Sequence, residues 1–168
     1  MAYAFIHIIV AWLAAKIYEV RLHGLSKIEW FFLLLGAVIP DVDFIIEQII
    51  NEPIHRTATH SILFALFFAS AVFIPLRYLG LEKEVVKKAS LCVALGVMFH
   101  IAVDMAFHYG VQLFWPLQYW VSFFGFSTQT TISFSESFGI GSLEQAILDM
   151  GMGTAWILWL ALRQRIRF

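Results

Sequence analysis

Ionisable side chains are concentrated in one short stretch of an otherwise apolar chain. In residues 40–61, "PDVDFIIEQIINEPIHRTATHS", two acids lie two residues apart and two histidines lie five residues apart, with an arginine between them. Further along, His100, Asp104 and His108 recur at every fourth residue, so one helix face carries all three. Because imidazole nitrogens and carboxylate oxygens are common zinc ligands, these spacings predict a site for a divalent metal.

The composition around these groups is typical of an integral membrane protein. Hydrophobic residues make up 61% of the 168-residue chain and charged residues 14%, whereas soluble domains are about 45–50% apolar. The formal net charge of −1 excludes a global basic field for nucleic acid, and the single cysteine excludes a disulfide framework or a cysteine-rich metal site. We therefore predict one integral membrane domain over residues 1–168, without a nucleic-acid partner.

Five apolar segments have about the 20-residue length that a membrane-spanning helix needs. They cover residues 2–15, 28–50, 61–79, 89–107 and 143–162. An aromatic stretch, Val111–Phe126, is interrupted by Pro116 and Gly125 and is predicted to be an interfacial or re-entrant segment, because Trp and Tyr are enriched at the membrane interface. The predicted fold class is all-α, a polytopic membrane bundle of about five spans. A loop is predicted over residues 127–142, with Ser142 capping the last helix.

Basic residues give the bundle an orientation. Ten of the eleven Lys and Arg residues follow the first span, join the third to the fourth, or end the chain, so the positive-inside rule places these three regions in the cytoplasm. The N-terminus then lies outside the inner or plasma membrane and the C-terminus lies inside. No Lys or Arg precedes Lys16, which predicts a retained first span rather than a cleaved signal peptide. The eleventh basic residue, Arg56, is the exception to this distribution, because it falls on the outer side of the membrane.

On this map the histidines and aspartates of four segments fall at one depth, in the outer half of the bundle. An ionised Asp near the bilayer centre costs roughly 2.5–3.5 kcal/mol, so such a residue normally has a partner and a function. Pro40 disfavours helical geometry at Ile39 and suits the first position of a new helix, which predicts a break in the second segment. At that break Asp41 and Asp43, which a regular helix would separate, can both approach one cluster.

Arg56 is the one cation on the outer side, and its planar guanidinium suits a phosphate or a carboxylate. We interpret it as a substrate clamp or as a partner for excess acid. Thr57 or Thr59 is predicted to cap the third span. Glu47 and Glu52 are predicted to be solvated.

Five elements in chain order carry a family resemblance. They are an early histidine, His7, and the strings "GAVIPDVD", "HRTATHS", "HIAVD" and "YGVQLFWPL". From His7 to Leu117, about two thirds of the chain, they resemble the LexA-regulated, membrane-bound metal-dependent hydrolase family (YdjM-like). That family is distantly similar to zinc-dependent phospholipases C and single-strand nucleases, which are helical enzymes that bind a cluster of zinc ions through His and Asp.

The resemblance implies two or more zinc ions and a set of candidate ligands. These are His7, Asp41, Asp43, His55, His60, His100 and Asp104. Three other residues stay open. His108 falls outside the expected ligands, Glu136 is predicted to be a loop acid, and Glu144 is a candidate for the carboxylate of the H-x-x-x-E pair that zinc phospholipases have.

The predicted chemistry is hydrolysis of a phosphoester in a lipid or lipid-linked substrate by metal-activated water. Asp41 or Asp43 would act as general base, and Arg56 would hold the phosphate. Two alternatives use the same residues. One is a transporter with a broken-helix ion site, which would bind metal weakly and exchange it. The other is a non-catalytic membrane protein in which the metal only joins helices. The sequence leaves the oligomeric state open.

Overall fold

A computed structural model describes residues 4–21, 24–106, 110–123, 125–127 and 140–162. Within these ranges the protein is mostly helical. The helices are α1 (Ala4–Arg21), α2 (Lys27–Gly36), α3 (Asp43–Ile50), α4 (Ile62–Tyr78), α5 (Lys83–Met105) and α6 (Ile140–Leu162). Two short strands, β1 (Trp120–Ser122) and β2 (Gly125–Ser127), form an antiparallel hairpin. The predicted all-α class is confirmed, with this hairpin as a small addition inside the aromatic segment.

Helix α5 is the centre of the bundle. It packs along α2 on one side and α4 on another, and α1 contacts both α5 and α6. One apolar cluster, which includes Trp30, Leu33 and Cys92, joins α1, α2, α5 and α6. A second, which includes Ala65 and Ile101, joins α4 to α5. A side chain on the last turns of α5 therefore faces several other elements at once.

Two glycines allow α2 and α5 to cross at very short range. A Cβ atom added at Gly36 would lie 2.2 Å from the Val93 carbonyl oxygen, and one at Gly96 would lie 2.1 Å from the Leu33 carbonyl oxygen. Small residues at a crossing let two helix backbones approach each other closely in this way. The crossing brings His100, one turn beyond Gly96, against the end of α2.

Substitution of Gly96 by alanine is expected to destabilise the fold, because neither backbone can make room for the methyl group without opening the crossing. Overpacking of this kind typically costs about 1–3 kcal/mol, and each kcal/mol lowers the unfolding midpoint of a chain this size by roughly 2–4 °C. Thermal unfolding of the detergent-solubilised protein measures the change. Gly151→Ala in α6 is the matched control, since a Cβ there meets nothing within 4 Å. Equal midpoints for Gly96→Ala and the control would contradict the close crossing.

The second apolar segment is broken where Pro40 predicts. Helix α2 ends at Gly36, a 3₁₀ turn covers Ile39–Val42 with Pro40 in its first turn, and α3 begins at Asp43. Proline lacks the N–H that a continuous helix needs at that point. The predicted break is thus confirmed.

The cap of α4 differs from the prediction. The N-cap is Ser61, whose hydroxyl oxygen accepts a hydrogen bond from Phe64 N at 3.1 Å. Thr57 precedes a 3₁₀ turn (Ala58–His60), and its hydroxyl donates to the Ile54 carbonyl. Thr59 lies within that turn, and its hydroxyl donates to Asp43. Both threonines are therefore committed elsewhere, and the prediction that one of them caps this helix is wrong.

The prediction of about five regular spans is also corrected. Among the described residues, α5 alone is both long and apolar enough to cross a membrane. The second segment is divided into helices of 10 and 8 residues, and α4 has 17 residues, whereas a span needs about 20. Helix α6 begins at Ile140 rather than at Ser142. Most of the predicted loop, residues 128–139, lies outside the described ranges.

Candidate metal centre

Four potential ligand atoms from three parts of the chain meet in the interior. His60 Nε2 lies 3.1 Å from His100 Nε2 and 3.1 Å from Asp104 Oδ2, and His100 Nε2 lies 3.6 Å from that oxygen. Asp41 Oδ1 is 3.4 Å from His100 Nε2 and 3.8 Å from His60 Nε2. All four residues are buried. Ligands about 2.0–2.2 Å from a tetrahedral zinc ion are separated by about 3.3–3.6 Å, so the spacing of His60, His100 and Asp104 fits three ligands of one cation.

The outer nitrogens of both imidazoles are fixed by hydrogen bonds. His100 Nδ1 lies 2.8 Å from the Ala37 carbonyl oxygen, which can only accept, so this nitrogen carries the hydrogen. His60 Nδ1 lies 2.9 Å from Thr59 Oγ1 and 3.3 Å from Asp43 Oδ2. The Thr59 hydroxyl donates to Asp43, so its oxygen is free to accept from His60. In the neutral state each ring therefore turns an unprotonated Nε2 toward the other and toward the two carboxylates.

With both rings neutral, the four converging atoms are all hydrogen-bond acceptors, and none of them can donate. Two imidazole lone pairs and two carboxylate oxygens converge, and Asp104 Oδ2 receives no hydrogen bond from the described residues. Arg56 compensates one of the two carboxylates, and burying the rest of the set without a further positive charge is unfavourable. A divalent cation held by His60, His100 and Asp104 would satisfy these acceptors and, with three protein ligands, would keep an open position for water. The residues present therefore fit a metal.

Asp43 lies behind His60 rather than among the four converging atoms. Its Oδ2 faces His60 Nδ1 and accepts from Thr59 at 2.5 Å, while its Oδ1 lies 2.9 Å from His55 Nδ1. A carboxylate that holds the far nitrogen of a metal-binding histidine fixes the tautomer and raises the basicity of that ligand. The predicted set is therefore divided here between residues at the centre and residues that orient them.

Two further combinations leave room for more than one cation position. Asp41, His55 and His60 each offer a ligand atom within 4.8 Å of the others, and so do His7, Asp41 and His100. The fully buried His7 ring stacks on His100 with centroids 3.7 Å apart. Neither His7 nitrogen has a hydrogen-bond partner in the described part of the chain. His7 therefore offers uncommitted nitrogens at the edge of the centre, with its Nε2 3.8 Å from Asp104 Oδ1.

Arg56 reaches the centre from the loop before α4. Its Nη2 donates to Asp104 Oδ1 at 2.9 Å, the side chain is buried, and its Nε has no partner among the described residues. The residue has a left-handed φ of 64°, a conformation that costs a non-glycine residue about 1–3 kcal/mol and that clusters at functional sites. The Arg56 carbonyl accepts from Gln112 N at 3.0 Å, which ties this loop to the aromatic segment. Arg56 thus pairs with an acid of the centre, and its two predicted roles, substrate clamp and partner for excess acid, both stay predictions.

The aromatic segment covers the same side of the molecule. From Val111 to Tyr119 it is irregular, closed by the bridge between Val111 and Val121 and joined to the start of α4 by the hydrogen bond from Ile62 N to the Leu113 carbonyl. Several large apolar side chains are exposed here. They are Phe114, Trp115, Leu117, Tyr119 and Phe123.

Two residues near the centre were not predicted. Thr59, assigned only to a cap, joins Asp43 to His60. Glu47, predicted to be solvated, is only 2% exposed, and its Oε1 has no partner in the described ranges. The D-x-x-x-E spacing from Asp43 to Glu47 could have predicted that Glu47 is buried with Asp43, because residues four apart share one helix face.

The three open residues remain untested by the structure. His108 and Glu136 lie outside the described residues. Glu144 lies in α6, but the position of its side chain is not described.

Comparison with known proteins identifies the family. A family model described as "YdjM inner membrane protein" matches residues 1–165. No curated protein and no solved structure matches the chain. The match covers nearly the whole chain and includes every residue of the centre, so this protein belongs to the YdjM inner membrane protein family.

Proposed function

We propose that the protein is a membrane-embedded hydrolase that uses a bound divalent cation, most simply zinc, to cleave a phosphoester in a lipid or lipid-linked substrate. The observation that carries this proposal is the buried group of His60, His100 and Asp104 at cation spacing, with Asp41 and a buried arginine at its edge. A purely structural metal would not require an arginine held in a left-handed conformation beside it. The likeness to zinc-dependent phospholipases C stays a prediction.

When bound, the metal supplies a Lewis acid and lowers the pKa of a coordinated water toward about 7. The chain supplies the other functions. Asp43 and Thr59 keep His60 in the tautomer that faces the centre, and the Ala37 carbonyl does the same for His100. Asp41 is the better candidate for general base, because both Asp43 oxygens are already taken by hydrogen-bond partners.

Arg56 is the residue that we assign to phosphate. One guanidinium nitrogen is held by Asp104, while the Nε–H remains without a partner in the described part of the chain. A planar fork with free donors suits phosphate oxygens. Its hydrogen bond to Asp104 orients the fork beside the metal ligands.

The lipid character of the substrate follows from the aromatic segment. Its exposed Phe, Trp and Tyr side chains are of the kind that sit at the headgroup level of a bilayer, and its backbone is bonded to the loop that carries Arg56. We propose that the centre opens toward the non-cytoplasmic side of the inner membrane, with the N-terminus outside, the C-terminus inside, and α1, α4 and α6 embedded beside α5.

The test is a hydrolysis assay on the purified protein with a panel of phospholipids and lipid-linked phosphates, released phosphate or headgroup being measured. We expect at least one substrate to turn over, EDTA to abolish turnover, and added zinc to restore it. Turnover that survives complete metal removal would end the proposal. Metal flux into protein-containing liposomes without any hydrolysis would favour the transporter alternative instead.

A further inference from the structure

A cavity lies beside α5, away from the metal ligands. It has a volume of about 430 Å³, between α1, α2 and α5, and its lining on α5 runs from Phe99 to Lys88. These two residues are eleven positions apart, which is about 16 Å along a helix. We call this cavity the α5 trough. Its volume falls in the roughly 300–1,000 Å³ range of small-molecule sites.

The walls of the α5 trough are apolar over most of its length. Its lining includes Leu33, Leu91, Leu95 and Phe99. Ala14 of α1 also lines it, and this side chain is too small to fill the space. Charged side chains occur at one end only, where Lys88 and Glu29 lie. A long apolar channel with charge at a single end matches an acyl chain that carries a polar head.

The charged end has a cation that is free to bind an anion. The Lys88 side chain is 67% exposed, and its ammonium lies 3.9 Å from Glu29 Oε1, at the outer limit of an ion pair. The other Glu29 oxygen accepts from Ser26 N at 2.6 Å, so Glu29 is committed to capping α2. The contact is long and an ammonium has three N–H donors, so Lys88 can bind a phosphate while it stays near Glu29.

The surroundings favour the same ligand. At the start of α5 the acids Glu82 and Glu84 balance Lys83 and Lys87, so Lys88 is the cation that the trough itself presents. A lysine at the end of an apolar groove beside a membrane helix suits an anionic lipid headgroup. The trough is thus placed to receive a lipid from the bilayer rather than a soluble metabolite.

We propose that the α5 trough binds one anionic membrane phospholipid, with an acyl chain along Leu33, Leu95 and Phe99 and its phosphate on Lys88. Such a lipid fills the space between α1 and α5 and braces the two helices. The site is independent of the metal centre and of the proposed hydrolysis.

Native mass spectrometry of the full chain, released from detergent after addition of phosphatidylglycerol, tests the proposal. We expect one retained lipid per chain in the wild type. Lys88→Gln should reduce the retained fraction by about tenfold, and Ala14→Phe, which fills the trough, should abolish retention. Lys87→Gln is the matched control, because the Lys87 ammonium is bonded to Glu84 at 2.8 Å and does not line the trough. Equal retention in Lys87→Gln and Lys88→Gln would overturn the proposal.

A second readout does not depend on how well Ala14→Phe folds. Leu91 lines the trough and is 61% exposed, so alkylation of Leu91→Cys by N-ethylmaleimide, in a Cys92→Ala background, reports on occupancy. Phosphatidylglycerol should slow this alkylation several-fold, and much less when Lys88→Gln is added. Diacylglycerol, which lacks the phosphate, should protect poorly. Equal protection by the two lipids, or none by either, would contradict the assignment of phosphate to Lys88.

Discussion

Replacement of His60 by alanine is expected to remove tightly bound metal from the purified protein. His60 Nε2 lies 3.1 Å from both His100 Nε2 and Asp104 Oδ2, the two shortest distances within the centre. Loss of a residue that only orients a ligand costs about 10–100-fold in metal affinity, and loss of the ligand itself should cost more than 100-fold. Competition with a chromophoric chelator measures this affinity.

A graded series makes that prediction specific to the geometry. Asp43→Asn should weaken metal binding by about 10–100-fold, because Asp43 acts through His60 rather than on the metal. Glu84→Gln should have no effect, since Glu84 is exposed and pairs only with a lysine on the surface of α5. If His60→Ala and Glu84→Gln retain metal equally, the four converging atoms are not the metal site.

Replacement of Arg56 by asparagine is expected to lower turnover of the phosphoester substrate by about 10²–10³-fold while the metal stays bound. That factor is the typical loss when one donor to a developing negative charge is removed. Asparagine tolerates the left-handed backbone that Arg56 adopts, so the loop should keep its conformation and only the guanidinium is lost. Steady-state kinetics and metal content, measured on the same preparation, separate the two effects.

Arg56→Lys distinguishes a clamp from simple charge balance. Lysine keeps the positive charge beside Asp104 but not the planar fork of donors. If Arg56 binds phosphate through that fork, the lysine variant should remain well below wild-type turnover. Full activity in Arg56→Lys would show that only the charge is needed, and full activity in Arg56→Asn would remove Arg56 from the site altogether.

The sequence predicted the components of the centre better than their arrangement. Pro40 made the helix break predictable, because the missing N–H is a local property of one residue. The four-residue spacing likewise placed His100 and Asp104 on one face of α5. The separation of Asp41 from Asp43 was not predictable, because the direction of each carboxylate depends on the 3₁₀ turn between the two helices and on Thr59, sixteen residues later.

The apolar pattern had a similar limit. Composition showed how much of the chain is apolar, but only the folded chain shows that the second segment is two short helices joined by a turn, so the number of regular spans was overestimated. Glu47 was predicted to be solvated, as acids usually are, whereas in the folded chain it is buried on α3. The close crossing at Gly36 and Gly96 also depends on contacts between distant segments, which no local pattern reveals.

The competing account of the centre needs no metal at all. The same buried carboxylates can pair with protonated imidazoles, and a metal-free protein would then be held together by ion pairs among these residues. That account requires a proton on the Nε2 atoms of His60 and His100, in addition to the proton on each Nδ1 that the hydrogen bonds to Thr59 and Ala37 indicate. The two accounts differ in whether a metal ion lies between the four residues.

The most direct test is a crystal structure of the purified protein with anomalous diffraction recorded at the zinc absorption edge. Our account predicts at least one anomalous peak within about 2.0–2.2 Å of His60 Nε2, His100 Nε2 and an Asp104 oxygen. A map without such a peak, from protein purified without chelator and supplied with zinc, would contradict it.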